Sequence, residues 1–316
     1  MRVTFWGTRG SIATPGPGTL TYGGNTSCVE VRCGTDIFVF DAGTGIRPLG
    51  LALMQEFAQQ PLTIHLFLSH THWDHIQGFP FFVPAYLPTT TIHLYGSTGQ
   101  GRPLEKVIRG QMDADYFPVA LGDMHSTLQV HEFKGKPFEI GTASVAAMYL
   151  NHPGMTLGYR ISYAGKTVVY ATDNEPYQQT LAHLGQPAVH AKPILGWPHQ
   201  QTLTHMEQRT EAGRDFGRRL DAEFIRFIDA ADLYIGEAQY TDDEYPARIG
   251  WGHSSITATV EVALSAKVRA LAFFHHDPLH DDPTVAAMAE TANRLIGARG
   301  SSLRCFAARE GQVLDI

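Results

Sequence analysis

The sequence predicts an α+β protein folded as a four-layer αββα sandwich. Apolar runs of strand length, broken by glycine-rich turns, fill the first half of the chain. The second half interleaves such runs with charged stretches whose apolar residues recur at helical spacing. Two β-rich layers flanked by helices follow, with polar side chains gathered where strands emerge at one edge. At 316 residues the chain can bury a large core. We expect one domain over 1–316, with an inserted helical segment at about 176–230.

In chain order, Val3 to Trp6, Ser27 to Arg32 and Asp36 to Phe40 read as strands, with Gly16, Gly18, Gly23 and Gly24 in the loop between the first two. The turn DAGTG (41–45) leads into a helix-like stretch from Arg47 to Gln59. Leu62 to Ser69 is the next strand. Further β signals are Thr91 to Tyr95, Ser126 to Phe133 and Ala143 to Leu150, then Gly158 to Tyr163 and Thr167 to Ala171 as a hairpin turning at Ala164-Gly165. Leu203 to Ala230 carries Phe216, Leu220, Phe224, Ile225 and Phe227 at helical spacing. Strand Leu233 to Gly236, helix Ser255 to Ala266, strand Ala270 to Phe274, helix Pro283 to Ile296 and two closing strands, Leu303 to Ala307 and Gln312 to Ile316, complete the order.

Composition is that of an ordinary globular chain, with 43% hydrophobic and 17% charged residues. A net charge of -7 argues against a basic nucleic-acid surface, though bound dications would reverse the field locally. Three cysteines (Cys28, Cys33, Cys305) make no disulfide framework, and Cys28 and Cys33 read as buried thiols. With no signal-like N-terminus and no apolar run of ~18 residues, the expected location is the cytoplasm, away from membranes.

The most informative stretch is His70-Thr71-His72-Trp73-Asp74-His75, directly after a strand. Alternate residues of an extended segment point the same way, so His70 and His72 can share one ion. Asp74 and His75 can reach a second. A two-metal site needs roughly seven or eight ligands. Candidates stand at later strand ends: His152, Asp173 and His275, with His276 as the alternative to His275.

These residues together resemble the metallo-β-lactamase superfamily. HTHWDH matches its HxHxDH signature, and Asp41, His152, Asp173 and His275 follow in its order. The αββα expectation rests on this resemblance more than on the strand reading. Within the superfamily the chain is most similar to the ribonuclease Z and phosphodiesterase branch. The opening GTRGS, GEAQY with Glu237, WGHSS with His253, and HHDPLHDD each resemble a segment of that branch, and the last favours His275 as ligand. Glyoxalase-like and lactonase-like members generally lack the Glu237/His253 pair. Diiron flavoproteins typically place a glutamate where His72 stands.

The resemblance implies a dinuclear metal-dependent hydrolase. Metal one would take His70, His72 and His152; metal two Asp74, His75 and His275; Asp173 would bridge. Zinc suits the imidazole-rich set, with manganese or iron as alternatives. Hydroxide held between the two ions would attack a phosphodiester, Asp74 would also take the proton of the attacking water, and His253 with Glu237 would protonate the leaving oxygen. Asp41 is expected to orient the histidine loop.

Ribonuclease Z holds tRNA with a long arm between the positions of His152 and Asp173, which here lie only 21 apart (173 − 152). The expected substrate is therefore a small phosphodiester, a cyclic nucleotide or cyclic phosphoribosyl ester, and nucleic acid is not the expected partner. The alternatives are a hydrolase of lactones, thioesters or β-lactams, and an RNA 3′-end-processing nuclease. The 176–230 segment is read as a cap, a homodimer interface or a peripheral helix. Its histidines, His183, His190, His199 and His205, are too irregularly spaced to form a ligand set. His65, His93, His125 and His131 read as structural, and Arg9 as a phosphate contact or a surface arginine.

Overall fold

The structure is a computed structural model that describes residues 1–58, 60–97, 102–184 and 211–316. Two seven-stranded sheets form its centre. The first contains β1 (Arg2–Gly7), β2 (Cys28–Cys33), β3 (Asp36–Phe40), β4 (Leu62–Phe67), β5 (Thr90–Gly96), β6 (Thr127–Glu132) and the last strand, β14 (Val313–Asp315), in the order β14-β1-β2-β3-β4-β5-β6. The second runs β13-β12-β11-β10-β9-β8-β7. Its strands are β7 (Phe138–Ile140), β8 (Ala143–Tyr149), β9 (Leu157–Tyr163), β10 (Lys166–Ala171), β11 (Leu233–Glu237), β12 (Ala270–Phe274) and β13 (Arg304–Ala307).

Three apolar clusters define the four layers. Phe5, Phe40, Phe67, Tyr159, Tyr170 and Phe274 meet between the sheets. Leu49 and Leu53 of α1 (Ile46–Phe57) and Ile108 of α3 (Leu104–Gln111) cover the outer face of the first sheet. A one-turn helix, α2 (Trp73–Ile76), carries the end of the histidine run. The outer face of the second sheet is covered by α5 (Glu211–Ile228), α6 (Ile256–Ser265) and α7 (Asp282–Ala298). Strands such as Ala270–Phe274 are buried along their whole length, because helices and a second sheet exclude water from both faces.

Most strand and helix readings match to within a residue or two. Three-residue β7 and the short helices α3 and α4 (Tyr177–Leu184) were not expected from the sequence. The expected helix from Leu203 is described from Glu211 onward; 203–210 lie outside the described residues, as do His190, His199, His205 and the side chain of His183. The described part of the 176–230 segment packs on the sandwich. Phe224 and Ile228 of α5 join the outer core, and the Asp221 carboxylate accepts Tyr177 N–H (2.7 Å) and Gln178 N–H (3.1 Å) at the start of α4. Among the described residues no helix is long and apolar enough to cross a membrane.

Candidate metal centre

The candidate ligands leave the sheets at one end. β3, β4 and β5 are parallel, as are β10, β11 and β12, so their carboxyl ends open at the same edge. A Leu157 N–H to Ser69 C=O bond (2.8 Å) ties the sheets there. Asp41 and His275 directly follow β3 and β12, Asp173 stands two residues past the end of β10, and all three adopt left-handed backbone, with φ of 61°, 59° and 55° in that order. Such geometry costs a non-glycine residue on the order of 1 kcal/mol, and here it turns three polar side chains into one pocket.

His70, His72 and His152 form one group and Asp74, His75 and His275 another, each with ligand-type atoms within 4.8 Å of one another. Asp173 belongs to both neighbourhoods: its carboxylate lies 2.8 Å from His75 Nε2, 3.1 Å from His275 Nε2 and 3.8 Å from His70 Nδ1. Asp74 Oδ2 is 3.1 Å from His75 Nε2, 3.0 Å from His275 Nε2, and accepts Ser11 N–H at 2.7 Å. His72 Nδ1 faces His152 Nε2 at 3.1 Å. All seven expected ligands therefore converge. His276 does not: its Nε2 donates to the Ala308 carbonyl at 2.8 Å, and burial pushes its pKa down to about 3.

This donor set fits divalent cations. His70 Nε2, His75 Nε2 and both oxygens of Asp173 are buried without a hydrogen-bond partner, although ordinary buried polar atoms are paired. The opposite ring nitrogens are spoken for. Nδ1–H of His75 donates to Asp41 (2.7 Å), that of His152 to the Gly252 carbonyl (2.9 Å), that of His70 to Ser69 Oγ (3.1 Å), and that of His275 to Gln239 Oε1 (3.0 Å). These contacts set the tautomer and aim Nε2 inward, as expected for imidazoles that bind metal. Burial holds His70 well below the usual histidine pKa and takes His152 down to about 3, so both offer neutral lone pairs. At His75 burial opposes charge, but Asp74, Asp173 and Asp41 outweigh it and raise the pKa well above normal. The carboxylates demand positive charge at that spot.

His253 stands beside this cluster rather than in either triad. Its Nδ1 donates to Glu237 Oε2 at 2.8 Å and lies 3.3 Å from Asp173 Oδ1. Burial disfavours the imidazolium, yet Glu237 and Asp173 outweigh it and lift His253 to about 10. Glu237 is itself held by Asn174 N–H. The pair can deliver a proton from a fixed position.

Several supporting residues escaped the sequence analysis. Glu175, fully buried, accepts Tyr245 O–H (2.7 Å), Gly250 N–H (2.9 Å) and Gly252 N–H (3.0 Å), bracing the turn that carries His253 and the carbonyl that orients His152. Tyr170 O–H donates to Asp41 (2.7 Å), and Gln239 spans His275 and Asp277. The only sequence signal for Glu175 was an acid two positions after Asp173. Glycine makes room for two of the ligand rings: a Cβ at Gly10 would overlap the His275 ring, and one at Gly252 (φ 87°) the His152 ring. Arg9 fits neither reading offered for it. It is fully buried and donates to the Gly23, Asp277 and His280 carbonyls, stapling the loops behind the site.

Known proteins resemble this chain in sequence and in fold. A family model described as a Beta-lactamase superfamily domain matches residues 37–219, more than half of the chain. Ribonuclease Z of Pyrococcus furiosus is 23% identical over 308 residues, covering 92% of this chain and 91% of the relative. Ribonuclease Z of Myxococcus xanthus is 26% identical, covering 90% of each. Among solved structures, unliganded yeast PDE1 superposes with a TM-score of 0.65 at 13% identity, over 100% of this chain and 99% of that one.

Proposed function

The chain belongs to the beta-lactamase superfamily, and from that membership we propose that it is a metal-dependent hydrolase of phosphodiesters. The observation that carries the reading is the buried Glu237–His253 pair beside seven convergent ligands. Glyoxalase-like and lactonase-like members generally lack such a pair, and an alkoxide leaving a phosphodiester needs the proton that a charged imidazole held by a carboxylate can give. We assign His70, His72 and His152 to one cation, Asp74, His75 and His275 to the other, and Asp173 to both, with zinc suited to the imidazole-rich set. When bound, two such ions supply Lewis acidity that lowers the pKa of water and offsets charge growing on the phosphoryl oxygens. Asp74, held by Ser11 N–H, accepts the proton of the attacking water. His253, charged through Glu237, gives a proton to the leaving oxygen from Nε2 and is then neutral. We treat 1–316 as one hydrolase unit, with about 176–230 as an insertion.

For the substrate, RNA comes first, and this reverses the order of the sequence analysis. The curated relatives are ribonuclease Z and align along nine-tenths of their length, which supports cleavage at RNA 3′ ends. A small phosphodiester is the second reading. It rests on one observation: β9, β10 and their turn occupy most of the span between His152 and Asp173, leaving no arm, on a chain of net charge -7. The test is the full chain reconstituted with zinc or manganese and offered bis(p-nitrophenyl) phosphate, a 3′-extended tRNA, cyclic nucleotides, a lactone and nitrocefin. Hydrolysis of the first substrate is expected, and the next two rank the substrate readings. Turnover confined to the lactone and nitrocefin overturns the proposal.

A further inference from the structure

Two exposed tryptophans lie close in the chain to residues of the metal centre. Trp73 lies between His72 and Asp74 and is 69% exposed. Trp251 lies two residues before His253 and is 58% exposed. A tryptophan left this open is informative when it adjoins a site, because indole is normally among the most buried surfaces a fold has. The backbone at Trp251 is also fixed. Its backbone N–H donates to the Arg248 carbonyl (3.1 Å), and the backbone N–H groups of the glycines on either side of it both donate to the buried Glu175 carboxylate. A fixed backbone beneath an exposed ring lowers the loop entropy lost when something stacks on that ring.

Arg248 completes the arrangement. Its guanidinium lies over the Tyr240 ring (4.8 Å to the centroid) and near the Trp251 ring (6.0 Å), and it has no carboxylate partner among the described residues. Tyr240 in turn stands edge-on to His253 at 5.9 Å. A chain of neighbouring groups therefore runs outward from the proton donor: His253, Tyr240, Arg248, Trp251. A planar cation with free donors suits a phosphate, and a flat indole suits a nucleobase.

We propose that Arg248 and Trp251 form a nucleotide subsite on the leaving-group side of the cleft, Arg248 binding a phosphate and Trp251 stacking on the attached base. The inference deepens the phosphodiester reading and rests on it for the position of the scissile bond. It applies equally to a nucleotide within RNA and to a free one.

The test is calorimetric titration of the metal-loaded full chain with AMP and with ribose 5-phosphate, which lacks the base. The wild type should bind AMP tighter by about 5- to 150-fold, the range typical of one stacked base. Trp251→Ala should erase that preference and Trp251→Phe restore most of it. Arg248→Ala should weaken both ligands alike, by about tenfold. A wild type indifferent to the base, or Trp251→Ala that keeps the preference, overturns the proposal. Competition against AMP separates the sources: oligoadenylate should win if the subsite serves RNA, cyclic AMP if it serves a free nucleotide. Hydrolysis of bis(p-nitrophenyl) phosphate is measured separately. A chain that hydrolyses it while ignoring the base loses this inference alone. A chain that stacks AMP but hydrolyses no phosphodiester loses the preceding one alone.

Discussion

Replacing Glu175 by alanine tests how the centre is braced. The carboxylate accepts three donors, Tyr245 O–H, Gly250 N–H and Gly252 N–H. Tyr245 and Gly252 are buried, so each would lose its partner with no water to replace it, at about 1–3 kcal/mol apiece. Gly250 is half-exposed and can turn to solvent at little cost. Burial pushes the Glu175 pKa up, so removing the carboxylate also removes a desolvation penalty and trims the loss. The net expectation is about 2–4 kcal/mol of stability. Glu175→Gln keeps one acceptor oxygen but turns an NH2 toward a donor, and should cost about half as much. Urea unfolding of the metal-loaded chain, read as a midpoint shift at constant slope, measures both. The same turn carries the Gly252 carbonyl that accepts from His152, so alanine should also weaken metal binding about 10- to 100-fold in chelator competition. Stability within about 0.5 kcal/mol of wild type, with unchanged metal affinity, would refute the bracing argument.

Three further outcomes are expected. His253→Ala should slow phosphodiester hydrolysis by about 10²–10⁴ while metal content stays constant; a wild-type rate would show that another group protonates the leaving oxygen. Elemental analysis should find about two divalent ions per chain, and chelation should lower the melting temperature, because ligands that bind only the folded state stabilise it. Acid should destabilise the fold through His65, whose pKa burial, His93 and His131 push down to about 4. Its folded-state pKa is depressed, so its contribution is complete above the unfolded value near 6.5 and is lost as pH falls from there toward 4. His65→Phe, stacked between Phe38 and His93, should therefore lose less melting temperature than wild type between pH 7 and pH 4.5. Equal losses would exclude His65 as the acid-sensitive group.

Much of this centre was legible in the residues. The HTHWDH run needs only local geometry to place His70 beside His72, and strands such as Ala270–Phe274 announce themselves by unbroken apolar composition. His152, Asp173 and His275 were recognisable because each ends such a strand. The choice between His275 and His276 was not recognisable in the same way. Both are histidines after one strand, and a left-handed backbone at His275 alone decides which ring enters the cluster. Helices α3 and α4 and strand β7 were missed because short segments carry too few repeats of any period to stand out.

By itself, the order of amino acids determined the strand ends and the chemistry of the ligands, since patterning and residue type act over a few positions, while the four-layer stacking was implied by the family resemblance. Only the tertiary structure decided that Glu175 holds a turn 75 residues away, that Tyr170 reaches Asp41 from the other sheet, and that Arg9 is buried rather than offered to a phosphate. Those roles come from hydrogen bonds between segments far apart in the chain. Such bonds depend on where two backbones come to rest in space, and no local sequence signal encodes that.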